Sequence, residues 1–144
     1  MLKLLEGSRR LQRTPKVTPS PKRGRWQPDP EQRKRVETAA VVFVQKRLHA
    51  EGWKVVSCES ENNGYDLRCT QGRRELNVEV KGTTSSKPEF QITQNELSAS
   101  GIDKYWELWI VTNALSEPRD GVVLGNALKR RFAFTPTQYA ARPR

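Results

Sequence analysis

Residues 74–81 constrain the fold most strongly, because polar and apolar side chains alternate from Glu75 to Lys81. Leucine and valine fill positions 76, 78 and 80, while the intervening polar positions end with Glu79 and Lys81. Successive side chains of a β-strand point to opposite faces of the sheet. The segment therefore predicts a strand with its aliphatic face on the main core, and it places Glu79 and Lys81 on the face that does not need burial there.

A long amphipathic helix is predicted ahead of this strand, over residues 30–50. Asp29 is a suitable N-cap, and Pro30 fits the first helical position because its missing N–H has no partner there. Apolar residues recur at helical spacing behind it. Gly52 is typical of the residue that ends a helix.

Further elements follow from apolar runs that lie between turn-forming residues. The pattern from Thr93 to Glu96 is a capping box, which predicts a helix through about Ser100 and explains both end residues as capping. Residues 105–112 are aromatic and β-branched, as in a buried strand. The predicted strands are 53–58, 65–69, 74–81 and 105–112, with short ones at 122–124 and 132–134. The order α-β-β-β-α-β predicts an α/β (α+β) fold with a mixed central sheet flanked by helices.

Residues 1–28 predict a disordered basic tail, with eight Lys or Arg against one acidic residue. They supply most of the net charge of +10, which favours a polyanionic partner. Arg23 and Arg25 are candidates for nucleic-acid contact, and a purely solubilising tail is the alternative. The folded domain is expected at 29–139, with a frayed end at 140–144.

The residue inventory argues against several classes of site. A single histidine, His49, and two cysteines supply neither a nucleophile–base pair nor a zinc site or a disulfide framework. Apolar runs are too short for a membrane span. Residues 1–5 are mostly apolar but lack a cleavage signal, so a reducing cytoplasmic setting is expected.

Asp66, Glu79 and Lys81 form the candidate catalytic centre. Glu79 and Lys81 share one face of a strand, and Asp66 can reach the same point from the preceding strand of a hairpin. Two converging carboxylates repel each other unless a cation neutralises them, and Mg²⁺ prefers such oxygen ligands. A nearby lysine can orient water or stabilise charge on a phosphate. These parts fit phosphodiester hydrolysis without a covalent intermediate.

The spacing of Asp66 and residues 79–81 resembles the PD-(D/E)XK motif of restriction-endonuclease-like nucleases. The layout is similar to that of archaeal Holliday-junction resolvases and Mrr-like enzymes. Over residues 36–112 the chain resembles more closely the nuclease-like domain at the C-terminus of the plant protein NO VEIN, including Phe-x-x-Thr-x-x-Glu at 90–96. Tyr65 stands where the motif has its proline.

The resemblance implies a restriction-endonuclease-like fold and a nuclease; an endonuclease acting on DNA is the leading expectation, and the sequence leaves RNA open as the substrate. Asp66, Glu79 and Val80 would bind Mg²⁺, with Mn²⁺ as a substitute, and Lys81 would assist the attacking water. Glu37 would approach the site from the first helix. Nucleases of this fold often dimerise, so a homodimer is one expected assembly.

Gln91 and Gln94 follow the motif where related nucleases place a polar helper, and both are candidates for phosphate contact. Simpler explanations exist for the centre itself. Glu79 and Lys81 would also fit an exposed charge pair, and Asp66 would fit a turn. A non-catalytic nucleic-acid-binding module on a nuclease fold is the alternative function, and an accessory protein with incidental charge is a third.

Overall fold

The structure is a computed structural model that describes residues 29–138 and 140–144. The predicted basic tail, with Arg23 and Arg25, lies outside these residues. The main elements are α1 (Pro30–Ala50), β1 (Lys54–Ser57), β2 (Leu67–Gln71), β3 (Arg74–Gly82), α2 (Gln94–Ile102), β4 (Trp106–Thr112), β5 (Arg119–Leu124) and α3 (Leu128–Arg131), with short 3₁₀ turns at Glu59–Glu61 and Gly125–Ala127.

The five strands form one mixed sheet in the order β1-β2-β3-β4-β5. β3 and β4 are parallel, whereas the other neighbouring strands are antiparallel. Two parallel strands need a crossover connection, which α2 and its flanking loops supply. The predicted α+β class, the mixed sheet and the order of the elements are confirmed. None of the helices described here has the length and apolarity that a bilayer crossing requires.

Two strand predictions are wrong in detail. Asp66 lies just before β2, which begins at Leu67, although its N–H still donates to the Val78 carbonyl at 2.9 Å. Residues 132–134 form no strand: Phe132 follows α3, and its ring packs edge-on against Phe90 with centroids 5.0 Å apart. Aromatic packing, rather than strand pairing, holds this segment on the sheet.

Each face of the sheet carries a buried core. One face packs against α1, whose buried side chains are Val36, Ala40, Val44 and Leu48. The other face packs against α2 and surrounding aromatic residues, and its core consists of Trp106, Leu108, Ile110, Val123 and Leu128. The face of β3 that bears Glu79 lies away from the main core under α1, and the second core covers it because β3 is the central strand.

Candidate functional site

Glu79 and Lys81 project from β3 into the face covered by α2. The register places Glu79 beside Leu108 and Lys81 beside Ile110, and both neighbours belong to the core under α2. Lys81 Nζ lies 2.9 Å from Glu79 Oε1. Only 4% of the Glu79 side chain and 18% of the Lys81 side chain are exposed. The alternative of an exposed charge pair is therefore wrong.

Asp66 reaches the same part of β3 through the backbone. Its Oδ2 accepts a hydrogen bond of 2.9 Å from the N–H of Val80, the residue between Glu79 and Lys81. The charge of Asp66 also contributes to raising the pKa of Glu79. The structure thus brings together the three residues that the sequence predicts as a centre.

The Val80 carbonyl faces the same side. Asn77 and Thr83 donate their backbone N–H groups to carbonyls at β4, so the odd-numbered residues of β3 pair with β4. The backbone N–H and C=O groups of the even-numbered residues point towards β2, whose pairing with β3 ends at Val78. The Val80 carbonyl therefore lies past the end of β2, on the side where Asp66 lies.

A third carboxylate joins the cluster from α2. Glu96 completes the predicted capping box: its N–H donates to Thr93 Oγ1 at 3.2 Å, and its Oε2 accepts from Thr93 N–H at 2.8 Å. The same Oε2 also accepts from Lys81 Nζ at 2.8 Å. The capping box by itself explains Glu96 in the sequence, so this second contact was missed. One feature of the sequence does point to this contact. A helix that connects two parallel strands packs on the sheet, and this packing carries the first turn of α2 towards β3.

Burial and local charge shift the pKa values of all four groups. Desolvation raises the pKa of Glu79 to about 8 despite the attraction of Lys81. Desolvation also raises the pKa of Asp66. For Glu96, burial acts upward, but hydrogen bonding and attraction to Lys81 bring the pKa below its usual value. For Lys81, burial acts downward, but the neighbouring carboxylates raise the pKa overall.

The donor atoms of this cluster suit a hard divalent cation. Asp66 and Glu79 supply carboxylate oxygens, and Val80 supplies a carbonyl on the same side, which is the donor type that Mg²⁺ prefers. In the part of the chain that the structure describes, no three His, Cys, Asp or Glu side chains form a metal-binding group. A cation bound here would therefore take most of its remaining ligands from water, as Mg²⁺ usually does.

Among the described residues, none of the other residues predicted for the site makes a hydrogen bond or an ion pair with this cluster. Glu37 is on α1, which packs on the opposite face, and its carboxylate lies 4.0 Å from Arg33 with the side chain exposed. Gln91 is exposed in the loop before α2. Gln94 begins α2, and its Nε2 donates to Ser98 Oγ at 3.2 Å. The roles of Glu37, Gln91 and Gln94 stay predictions.

The loop before Asp66 is held by α2 and β4. Trp106 Nε1 donates to the Gly64 carbonyl at 2.8 Å in a buried contact. Asn95 Nδ2 donates to the Asn62 carbonyl at 3.0 Å. These two contacts fix the chain on its way into Asp66, so the position of the carboxylate depends on the packing of α2.

Gly64→Ala is expected to destabilise the protein by about 1–3 kcal/mol more than Gly72→Ala. Both glycines have positive φ, +82° and +61°, which penalises any side chain. A Cβ at Gly64 would lie 2.7 Å from the Ala99 Cβ, whereas a Cβ at Gly72 has nothing within 4 Å. Urea unfolding of the two variants measures the difference. Equal losses would mean that the close approach of α2 to this loop contributes no stability.

A family model described as Protein NO VEIN, C-terminal, matches residues 36–123, which is more than half of the chain. The matched range runs from within α1 into β5 and includes Asp66, Glu79, Lys81 and Glu96. Neither a curated protein nor a solved structure matches the chain.

Proposed function

The chain belongs to the family described as Protein NO VEIN, C-terminal, and from that premise we propose that it is a metal-dependent endonuclease that hydrolyses phosphodiester bonds in DNA. The observation that supports this most is the cluster of Asp66, Lys81 and the buried Glu79 at the open end of the β2–β3 hairpin. Buried ionisable groups with shifted pKa values and charged partners concentrate at functional sites. Their order along the chain resembles the PD-(D/E)XK motif.

In this proposal Asp66 and Glu79, with the Val80 carbonyl, bind Mg²⁺ or Mn²⁺. The bound metal would supply an activated water and draw negative charge from a phosphate oxygen. Asp66 keeps its orientation through the Val80 N–H. Glu79 must release its proton to bind a cation, so metal affinity should rise with pH towards the raised pKa of this residue. Lys81 supplies a positive charge beside the phosphate.

Burial serves this chemistry because it strengthens every charge interaction in the site. Water screens the attraction between exposed ions, whereas a dry site does not. Glu79 and Lys81 are both largely shielded by the core under α2. The same burial destabilises the protein without metal, since it leaves carboxylates poorly solvated.

Incubation of the full chain with supercoiled plasmid DNA tests the proposal. Nicking is expected with Mg²⁺ or Mn²⁺ and is expected to stop when EDTA is added. Single-stranded RNA in parallel reactions separates DNA from RNA as the substrate. A protein that cleaves neither nucleic acid with either metal would contradict the proposal.

A second candidate is a nucleic-acid-binding module that does not cleave. The net charge of +10, most of it within residues 1–28, favours it. Salt-sensitive DNA binding in EDTA, without nicking in Mg²⁺, would support this candidate. Deletion of residues 1–28 should then flatten the dependence of affinity on salt.

A further inference from the structure

We propose that Glu96 is a positioning residue that holds the Lys81 ammonium in place for the hydrolysis. The first turn of α2 is then part of the site. This inference rests on the proposed function and assigns one more residue to it. Helix capping by itself already explains why a glutamate stands at position 96.

Two contacts define where the Lys81 ammonium lies. Nζ is 2.8 Å from Glu96 Oε2 and 2.9 Å from Glu79 Oε1. A lysine has a long, flexible side chain with considerable rotamer freedom, so one contact leaves its charge free to move about that contact. Two carboxylates on different elements, β3 and α2, fix it at one point.

Glu96 becomes the more important partner when Glu79 binds a cation. The proposed function gives the Glu79 carboxylate to the metal, and a metal ion repels the ammonium that now lies against Glu79. The proposed function gives Glu96 no metal to bind: its Oε2 accepts from Lys81 Nζ and the Thr93 N–H, and a hydrogen bond with Glu79 also helps to lower its pKa. Glu96 can therefore keep Lys81 beside the site.

Glu96 is itself well fixed. The capping box holds its carboxylate through the Thr93 N–H at 2.8 Å. The next residue towards the N-terminus, Asn95, anchors the same turn to the Asn62 carbonyl. Only 17% of the Glu96 side chain is exposed. Precise sites depend on supporting groups that are locked in this way by packing and hydrogen bonds.

Capping alone is the competing explanation, and Glu96→Gln separates the two. Glutamine also completes a capping box, so this variant keeps the helix start while removing the charge opposite Lys81. Thr93→Ala does the reverse, because it removes the hydroxyl of the cap and leaves the carboxylate. Glu89→Gln removes a neighbouring charge from an exposed position and serves as the control.

Plasmid nicking in Mg²⁺ and thermal unfolding compare these variants. We expect Glu96→Gln to lower kcat about 10- to 100-fold, as loss of a supporting group does, with KM close to that of the wild type and only a modest fall in Tm. Thr93→Ala should lower Tm, while its kcat falls far less. A Glu96→Gln protein with wild-type kcat would overturn the inference, as would activity losses that simply follow Tm in both variants.

A double-mutant cycle supplies a measurement that does not depend on activity. Glu96→Gln, Lys81→Met and the double variant are unfolded in urea without metal. If Glu96 holds Lys81, the effects are non-additive, and the double variant loses less than the sum of the single losses. Additive losses overturn the positioning role alone, whereas a wild-type protein that cleaves neither DNA nor RNA overturns the proposed function.

Discussion

Replacing Glu79 with glutamine is expected to abolish DNA cleavage and, at the same time, to stabilise the metal-free protein. Glutamine keeps the size of the side chain but lacks the anionic oxygen that a divalent cation requires. A loss of about 4 kcal/mol of transition-state stabilisation lowers kcat about 1,000-fold. The free energy of unfolding should rise by about 1–2 kcal/mol, since a desolvated carboxyl is replaced by a neutral amide.

The gain in stability should depend on pH. Burial raises the pKa of Glu79 from 4.5 to about 8. Between these values the folded protein holds a proton that the unfolded chain has released, so the free energy of unfolding of the metal-free wild type falls as pH rises. Glu79→Gln removes this contribution, and urea unfolding at several pH values in that interval measures it.

Glu75→Gln is the matched control, because Glu75 lies on the same strand but is exposed. It should change neither nicking nor the pH dependence of unfolding. A Glu79→Gln protein that still nicks plasmid DNA would exclude Glu79 as a metal ligand. One that is less stable than the wild type near pH 8 would mean that the buried carboxylate is well compensated.

Lys81→Met is expected to lower the free energy of unfolding of the metal-free protein by about 3–5 kcal/mol, the usual cost of removing one partner from a buried ion pair. Methionine preserves much of the alkyl chain and removes the charge. Glu79 and Glu96 then lose the ammonium that lies within 2.9 Å of both. Urea unfolding at neutral pH measures the loss, with Lys54→Met, at an exposed strand position, as the control.

Divalent cations should restore part of this loss. Ligand binding to the folded state adds about 2.7 kcal/mol at 100 times its Kd. Mg²⁺ or Mn²⁺ is therefore expected to raise the Tm of Lys81→Met, and Glu79→Gln in the same chain should cancel this response. If Lys81→Met is as stable as Lys54→Met, the three carboxylates do not depend on Lys81 for compensation. Activity assays of position 81 variants need this control, because lost cleavage can reflect lost stability.

Local signals in the sequence predict most of the fold. Asp29, Pro30 and Gly52 bound α1 at both ends, and the observed helix has the predicted limits. Capping, turns and alternation act over a few residues, so they are visible in the sequence. The segment 132–134, which is not a strand, is held instead by the contact between Phe132 and Phe90. These two residues lie far apart in the sequence, so no local pattern shows their contact.

The site was predicted less completely, for a related reason. Alternation in β3 shows which side chains share a face, so it brings Glu79 and Lys81 together. It does not show what covers that face, because the cover comes from α2 and from aromatic side chains on other segments. The capping box alone accounts for Glu96 in the sequence. Its contact with Lys81 exists only once α2 packs on β3.

All four members of the charged cluster come from residues 66–96, a single uninterrupted stretch that includes the β2–β3 hairpin and the start of α2. Exchange of this one stretch between relatives would transfer all four charged side chains at once, whereas Gly64 and Trp106, whose contact holds the chain before Asp66, would come from the recipient. The first helix and the last two strands would form the scaffold around these side chains. Under the proposed function, substrate preference could then change through the outer surfaces of that scaffold without any change in these four residues.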